Sequence, residues 1–176
     1  MFAILTIPLI LLLSYIFINE SIINKCSYLI TATGYLSLIY LVIVLILPLT
    51  NLNSLKMKIR TIGLASFYSA IFHFLLYIFD HNYDVNYLVE DALYRNYIIS
   101  GYIALLFFIP MYITSFDYFK NRITNWRKLH KVVYLIYFFI LMHIYFIIKA
   151  DYIYLFIFTF LILAIIILKS YKAIYK

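Results

Sequence analysis

Long apolar runs alternate with short polar clusters along the whole chain. A helix needs ~20 mostly apolar residues to cross the ~30 Å hydrocarbon core of a bilayer. Six runs answer to that requirement, at 2–18, 28–49, 61–79, 97–116, 129–148 and 152–168. The pattern predicts an all-α, polytopic membrane bundle in which residues 1–176 form one transmembrane domain. Every connection is short, so no separate soluble domain is expected. There is no internal repeat and no low-complexity linker. The N-terminal run is apolar from the start, with no basic lead-in and no A-x-A-like cleavage site. It reads as a first span rather than a cleaved signal.

Composition sharpens this picture. The chain is 67% hydrophobic and 12% charged, against roughly half and about one-quarter in an average soluble domain. Three glycines and three prolines leave little loop and no glycine-rich nucleotide cradle. The 20 tyrosines and 16 phenylalanines suit a membrane protein, since Tyr collects where one end of a side chain is apolar and the other wet. The single cysteine, Cys26, excludes an internal disulfide and a cysteine-ligated cluster within one chain.

A net charge of +7 would suggest nucleic acid in a soluble protein. Here its distribution speaks of topology instead, and no nucleic-acid role is expected. Lys56, Lys58 and Arg60 follow the second run. Lys120, Arg122, Arg127 and Lys128 follow the fourth, with Lys131 just inside the fifth, and Lys169, Lys172 and Lys176 close the chain. The opposite side carries Lys25, Arg95 and Lys149 against Glu20, Asp80, Asp84, Glu90, Asp91 and Asp151. Cytoplasmic loops collect Lys and Arg, so the basic loops and both termini are expected in the cytoplasm.

Candidate chemistry rests on four histidines, His73, His81, His130 and His143. An ionisable residue within a span is costly and is read first as functional. At ~1.5 Å rise per residue, His73 lies ~18 Å beyond Thr61 and His143 ~21 Å beyond Leu129, on spans that run the same way. Two imidazoles on different helices at one depth match the needs of a bis-histidine heme b, and neutral imidazole is the metal-ligating form. The neighbours, Phe72, Phe74, Leu141, Met142 and Tyr145 among them, are apolar or aromatic. The bland alternative is a pair of buried histidines bonded to carbonyls or hydroxyls. Zinc fits less well, because no acid or cysteine lies at that depth to complete a tetrahedral set.

His130 sits ~20 Å below His143 on the same helix, within Trp126-Arg127-Lys128-Leu129-His130-Lys131. Two readings stay open for it: a ligand of a second heme, or an interfacial residue in a basic, aromatic-anchored boundary. Arg60, thirteen positions before His73, has three: a partner of a heme propionate, a neighbour of a second iron, or a marker of topology. His81, among Asp80, Asn82 and Asp84, reads as a loop residue. Thr114-Ser115 reads as a helix-end cap or a phosphate contact, and Glu90-Asp91 as an outward-facing acidic patch. No nucleophile–base pair, H-E-x-x-H or phosphate loop is present.

The residues that carry chemistry resemble a known family. Thr33-Gly34, Pro48-Leu49, Arg60-x-x-Gly63-Leu64, Phe72-His73, Arg95-x-Tyr97, Gly101, Thr114-Ser115, Trp126-x-x-Leu129-His130-x-x-x-Tyr134-Leu135, His143-x-Tyr145 and Lys149 together resemble the MsrQ family. These are heme-binding membrane subunits of bacterial methionine sulfoxide reductase systems, within the ferric reductase-like transmembrane superfamily. The resemblance implies that His73, His130 and His143 are the heme histidines, holding one or two hemes. It implies a non-catalytic electron-transfer subunit in the bacterial inner membrane. Its donor would be a cytoplasmic flavin reductase, with FMN implicated, or quinol. Its acceptor would be a periplasmic molybdopterin enzyme, MsrP-like, that repairs oxidised methionine in proteins. Asn96 departs from the proline often found there. Two rival readings are a ferric or oxygen reductase acting on a small acceptor, and a histidine-based proton or ion carrier. The first usually has a fused flavin domain and the second is expected to have acids within its spans.

Overall fold

A computed structural model describes residues 2–56, 58–148 and 152–174. Lys149, Asp151 and Lys176, used in the charge comparison, lie outside the described residues. The chain runs through helices α1 (Phe2–Ile18), α2 (Lys25–Ile46), α3 (Ile59–Asp80), α4 (Val85–Tyr94), α5 (Asn96–Ile113), α6 (Val133–Ile147) and α7 (Ile153–Ile174). Single helical turns join them at Leu47–Leu49, Asn53–Lys56, Asp117–Lys120, Trp126–Leu129 and His130–Val132. Among the described residues, five segments are long and apolar enough to cross a membrane: Lys25–Leu49, Ile59–Asp80, Asn96–Ile113, His130–Ile147 and Ile153–Lys172. α1 is a shorter apolar helix. The molecule is a multi-pass helical membrane protein.

The helix ends follow local chemistry rather than hydropathy. α2 starts three residues earlier than the apolar run because Asn24 caps it, its side chain accepting from the Ser27 N–H. α5 stops at Ile113, where Pro110 lies in its last turn and Thr114 turns its hydroxyl back onto the Pro110 carbonyl at 2.8 Å. α7 runs past the predicted end at 168 to Ile174. α4 falls in the acidic connection, where hydropathy gives no span. Asp84 caps it through the N–H groups of Asn86 and Tyr87. The turn before it holds Asn82 and Tyr83 in the left-handed region, with φ 51° and 59°.

Lipid tails are as apolar as leucine, so helices in a bilayer associate through close packing of small residues and hydrogen bonds. α2 and α3 use both. Ser37 Oγ donates to the Ser66 carbonyl at 2.9 Å and Ser66 Oγ returns the bond to the Ser37 carbonyl at 2.8 Å. α2 packs chiefly on α3, and α5 chiefly on α6; the two pairs touch each other far less. They meet where Phe67 of α3 lies against Phe108 and stacks on Tyr112 of α5, ring centres 4.3 Å apart. A buried cluster of Leu38, Leu41, Phe67, Phe108, Ile136 and Tyr137 surrounds that meeting point. α7 is tied to this body by Tyr137 Oη on the Phe158 carbonyl, Lys169 on Tyr134 Oη and Lys172 on the Leu49 carbonyl. Leu75, Leu106, Phe138, Phe156 and Phe160 stand exposed on the outside, as a lipid-facing surface requires.

Candidate functional site: a paired-histidine cavity

A cavity of about 250 Å³ opens between the two helix pairs, lined by residues of α2, α3, α5 and α6. His73 of α3 and His143 of α6 face each other across it, with ring centres 6.2 Å apart and planes at 86°. The rest of the wall is mostly apolar or aromatic, including Tyr35, Phe74, Tyr102, Phe108 and Ile144.

Both rings are held in the same way. His73 Nδ1 donates to the Ile30 carbonyl of α2 at 2.7 Å, and His143 Nδ1 donates to the Tyr97 carbonyl of α5 at 2.6 Å. A carbonyl only accepts, so in a neutral ring the proton sits on Nδ1 and the lone pair on Nε2. The two nitrogens lie on opposite sides of the ring, which turns Nε2 away from the holding helix. This is the arrangement of a ligating imidazole, whose other N–H is fixed by a backbone carbonyl or carboxylate.

The sequence makes room for these bonds with glycine. A helix carbonyl is shielded by the side chain four residues on, and here those residues are Gly34, four after Ile30, and Gly101, four after Tyr97. A Cβ at Gly34 would lie 3.1 Å from His73 Nδ1 and 3.2 Å from Cε1. A Cβ at Gly101 would lie 2.9 Å from His143 Nδ1 and 3.1 Å from Cε1. Each imidazole therefore lies directly against a neighbouring backbone.

The other candidates lie apart from this pair. His130 stands at the far end of α6, its Nε2 3.2 Å from Thr114 Oγ1 and its ring across the edge of Trp126. With the hydroxyl hydrogen of Thr114 on the Pro110 carbonyl, Oγ1 is left to accept from Nε2. Arg60 forks onto Asp117, joining the start of α3 to the turn after α5, both side chains about half exposed or more. His81 bonds the Tyr77 carbonyl at 2.8 Å and stacks on Tyr87, outside the cavity. Thr114 is 2% exposed and serves as helix cap and histidine partner.

Two features lay hidden in the sequence. The carbonyl acceptors are backbone, so no residue type announces them; the matched Ile30–Gly34 and Tyr97–Gly101 spacing was the available signal. Asp91 was read as part of an outward acidic patch. In the fold Glu90 is exposed, but Asp91 is turned inward and 6% exposed. It accepts from Tyr77 Oη at 2.7 Å and forms an ion pair with Arg95, Oδ1 to Nε 2.8 Å. Arg95 in turn donates to Tyr97 Oη at 2.7 Å. That hydroxyl, then the charge of Asp91, holds the Arg95 guanidinium above its already high ordinary pKa.

Residues 1–141 match the family described as "Ferric reductase like transmembrane component". A protein-methionine-sulfoxide reductase heme-binding subunit MsrQ from Herminiimonas arsenicoxydans is 34% identical over 120 residues, covering 64% of this chain and 55% of that protein. MsrQ proteins from Brucella anthropi and Brucella ovis are 33% and 32% identical over 88 and 89 residues, covering 49% of this chain and 40% of theirs. The chain thus spans about half the length of these relatives. No solved structure matches it. With the family's pattern running through four-fifths of its length, the chain belongs to the ferric reductase like transmembrane component family.

Proposed function

We propose that this chain is a heme b electron-transfer subunit of a methionine sulfoxide reductase system, with His73 and His143 as paired axial ligands. The observation that carries the reading is the pair of fixed imidazoles across one cavity. Half their separation of 6.2 Å spans a metal–nitrogen bond of about 2.0 Å plus the half-width of the ring. Two imidazoles do not complete a tetrahedral site, and among the described residues no cluster of three or more His, Cys, Asp or Glu side chains could hold a bare ion. A group that brings its own equatorial ligands suits such a pair. Heme iron held by two imidazoles supplies one-electron exchange at a potential set by its ligands and their burial.

The chain's own residues supply the rest. The Ile30 and Tyr97 carbonyls keep both rings in the ligating tautomer, and the apolar wall keeps water from the iron site. His130 and Arg60 mark the opposite, basic end, which we assign to the cytoplasm with both termini, in the bacterial inner membrane. A second heme at His130 would exchange the Thr114 contact for a bond to iron. A flavin phosphate or propionate at Arg60 would compete with Asp117. Electrons would enter there from a flavin reductase, with FMN, or from quinol. They would leave at the His73–His143 end toward a periplasmic, MsrP-like molybdopterin enzyme. The six apolar runs then form one transmembrane domain. MsrQ relatives in two bacterial lineages support this reading over a ferric or oxygen reductase.

The test is a reduced-minus-oxidised visible spectrum of the purified full chain. Unmodified protein is expected to give b-type bands, His73→Ala and His143→Ala to lose them, and His130→Ala to lose part. Absence of the bands from unmodified protein would sink the reading.

A further inference from the structure

One buried carboxylate beside the cavity has two partners. Asp91 comes from α4, a helix too short and polar to span, yet its side chain is 6% exposed. Oδ2 accepts from Tyr77 Oη at 2.7 Å. Tyr77 lies one helical turn beyond His73 on α3 and lines the cavity. Oδ1 forms an ion pair with Arg95 Nε at 2.8 Å, and Arg95 Nη1 donates to Tyr97 Oη at 2.7 Å. Tyr97 is the residue whose carbonyl holds His143 Nδ1. One oxygen of Asp91 therefore grips the helix that carries His73, and the other pairs with Arg95, which in turn holds the hydroxyl of the residue that orients His143.

We infer that Asp91 is a positioning residue for the histidine pair, setting the spacing and the mutual angle of the two imidazoles through Tyr77 on one side and Arg95–Tyr97 on the other. This rests on the heme reading above. The two helix pairs touch each other less than the helices within each pair, with Phe74 on Tyr102 beside the cavity, and a buried carboxylate with charge-assisted partners is among the stiffer links a protein can make. Removing Arg95 would leave the buried Asp91 charge without its counter-ion, and removing the Tyr77 hydroxyl would leave one carboxylate oxygen without its donor.

The angle gives the test its readout. Perpendicular imidazole planes on low-spin ferric heme give a strongly anisotropic electron paramagnetic resonance signal, and rotation toward parallel gives a rhombic one. The full chain, loaded with heme b in lipid nanodiscs, is compared with Asp91→Asn, Tyr97→Phe and, as a control, Glu90→Gln. Tyr97→Phe keeps the carbonyl and removes only the hydroxyl. Asp91→Asn and Tyr97→Phe are both expected to move the signal toward the rhombic form. Both should release heme to an apo-globin acceptor about tenfold faster, the effect of one charge-assisted hydrogen bond. Glu90→Gln should leave both readouts in place. If Asp91→Asn does not fold, Tyr97→Phe decides alone. An unchanged signal in the folded variants overturns the positioning role, even if they melt earlier, because a purely structural contact moves only the melting temperature. Unmodified protein with no heme bands overturns the heme reading, and this role with it.

Discussion

A methyl group at Gly101 would meet His143 Nδ1 at 2.9 Å, and one at Gly34 would meet His73 Nδ1 at 3.1 Å. Neither ring can retreat without giving up its carbonyl. Gly101→Ala and Gly34→Ala are expected to cost ~1–3 kcal/mol each by overpacking and to lower the heme-to-protein ratio, Gly101→Ala the more. Pyridine hemochrome assay of the purified variants measures this; equal ratios in wild type and Gly101→Ala would count against the packing argument. At this scale the sequence was partly legible. Histidine in an apolar run is conspicuous, and helical rise alone set His73 and His143 at similar depth. The atoms that fix them were not legible, because Ile30 and Tyr97 contribute backbone and their side chains say nothing of it. Nor was the inward turn of Asp91, since an acid flanked by Glu90 and exposed apolar residues looks like surface.

Among the elements, the long helices were readable because hydropathy over ~20 residues is a strong signal. α4 was not, being ten residues long and mixed in polarity; only the Asp84 cap betrays it. Asp84→Ala should cost ~1 kcal/mol of local helix stability, read as faster amide exchange at Asn86 and Tyr87. By the Asp91 link, the same fraying should reach the histidine pair. The α2–α3 seam offers a second measurement. Each of the reciprocal Ser37–Ser66 bonds ends on a backbone carbonyl, so Ser37→Ala and Ser66→Ala should each cost ~0.6 kcal/mol, the average for hydrogen bonds between membrane helices, and the two losses should add. Unfolding in mixed micelles would record them, and single mutants as stable as the unmodified chain would mean the seam is held by packing alone.

For the whole molecule, charge sets the expected direction of insertion. A reporter that acts only in the cytoplasm, fused after the last helix, should be active. Substituting Lys56, Lys58 and Arg60 by Gln should weaken that preference. The division of the bundle into α2–α3 and α5–α6 has a further consequence, for biogenesis. Each pair leaves the ribosome as its own hairpin, carries one histidine, and holds that histidine against its own partner helix before the other hairpin exists. A cofactor bound by both would act as a stitch between halves that touch each other less than the helices within each half do. Ligand that binds only the joined state stabilises it in proportion to the logarithm of its concentration. If that cofactor is the heme proposed above, the amount of this protein that survives quality control in the cell should rise and fall with heme supply.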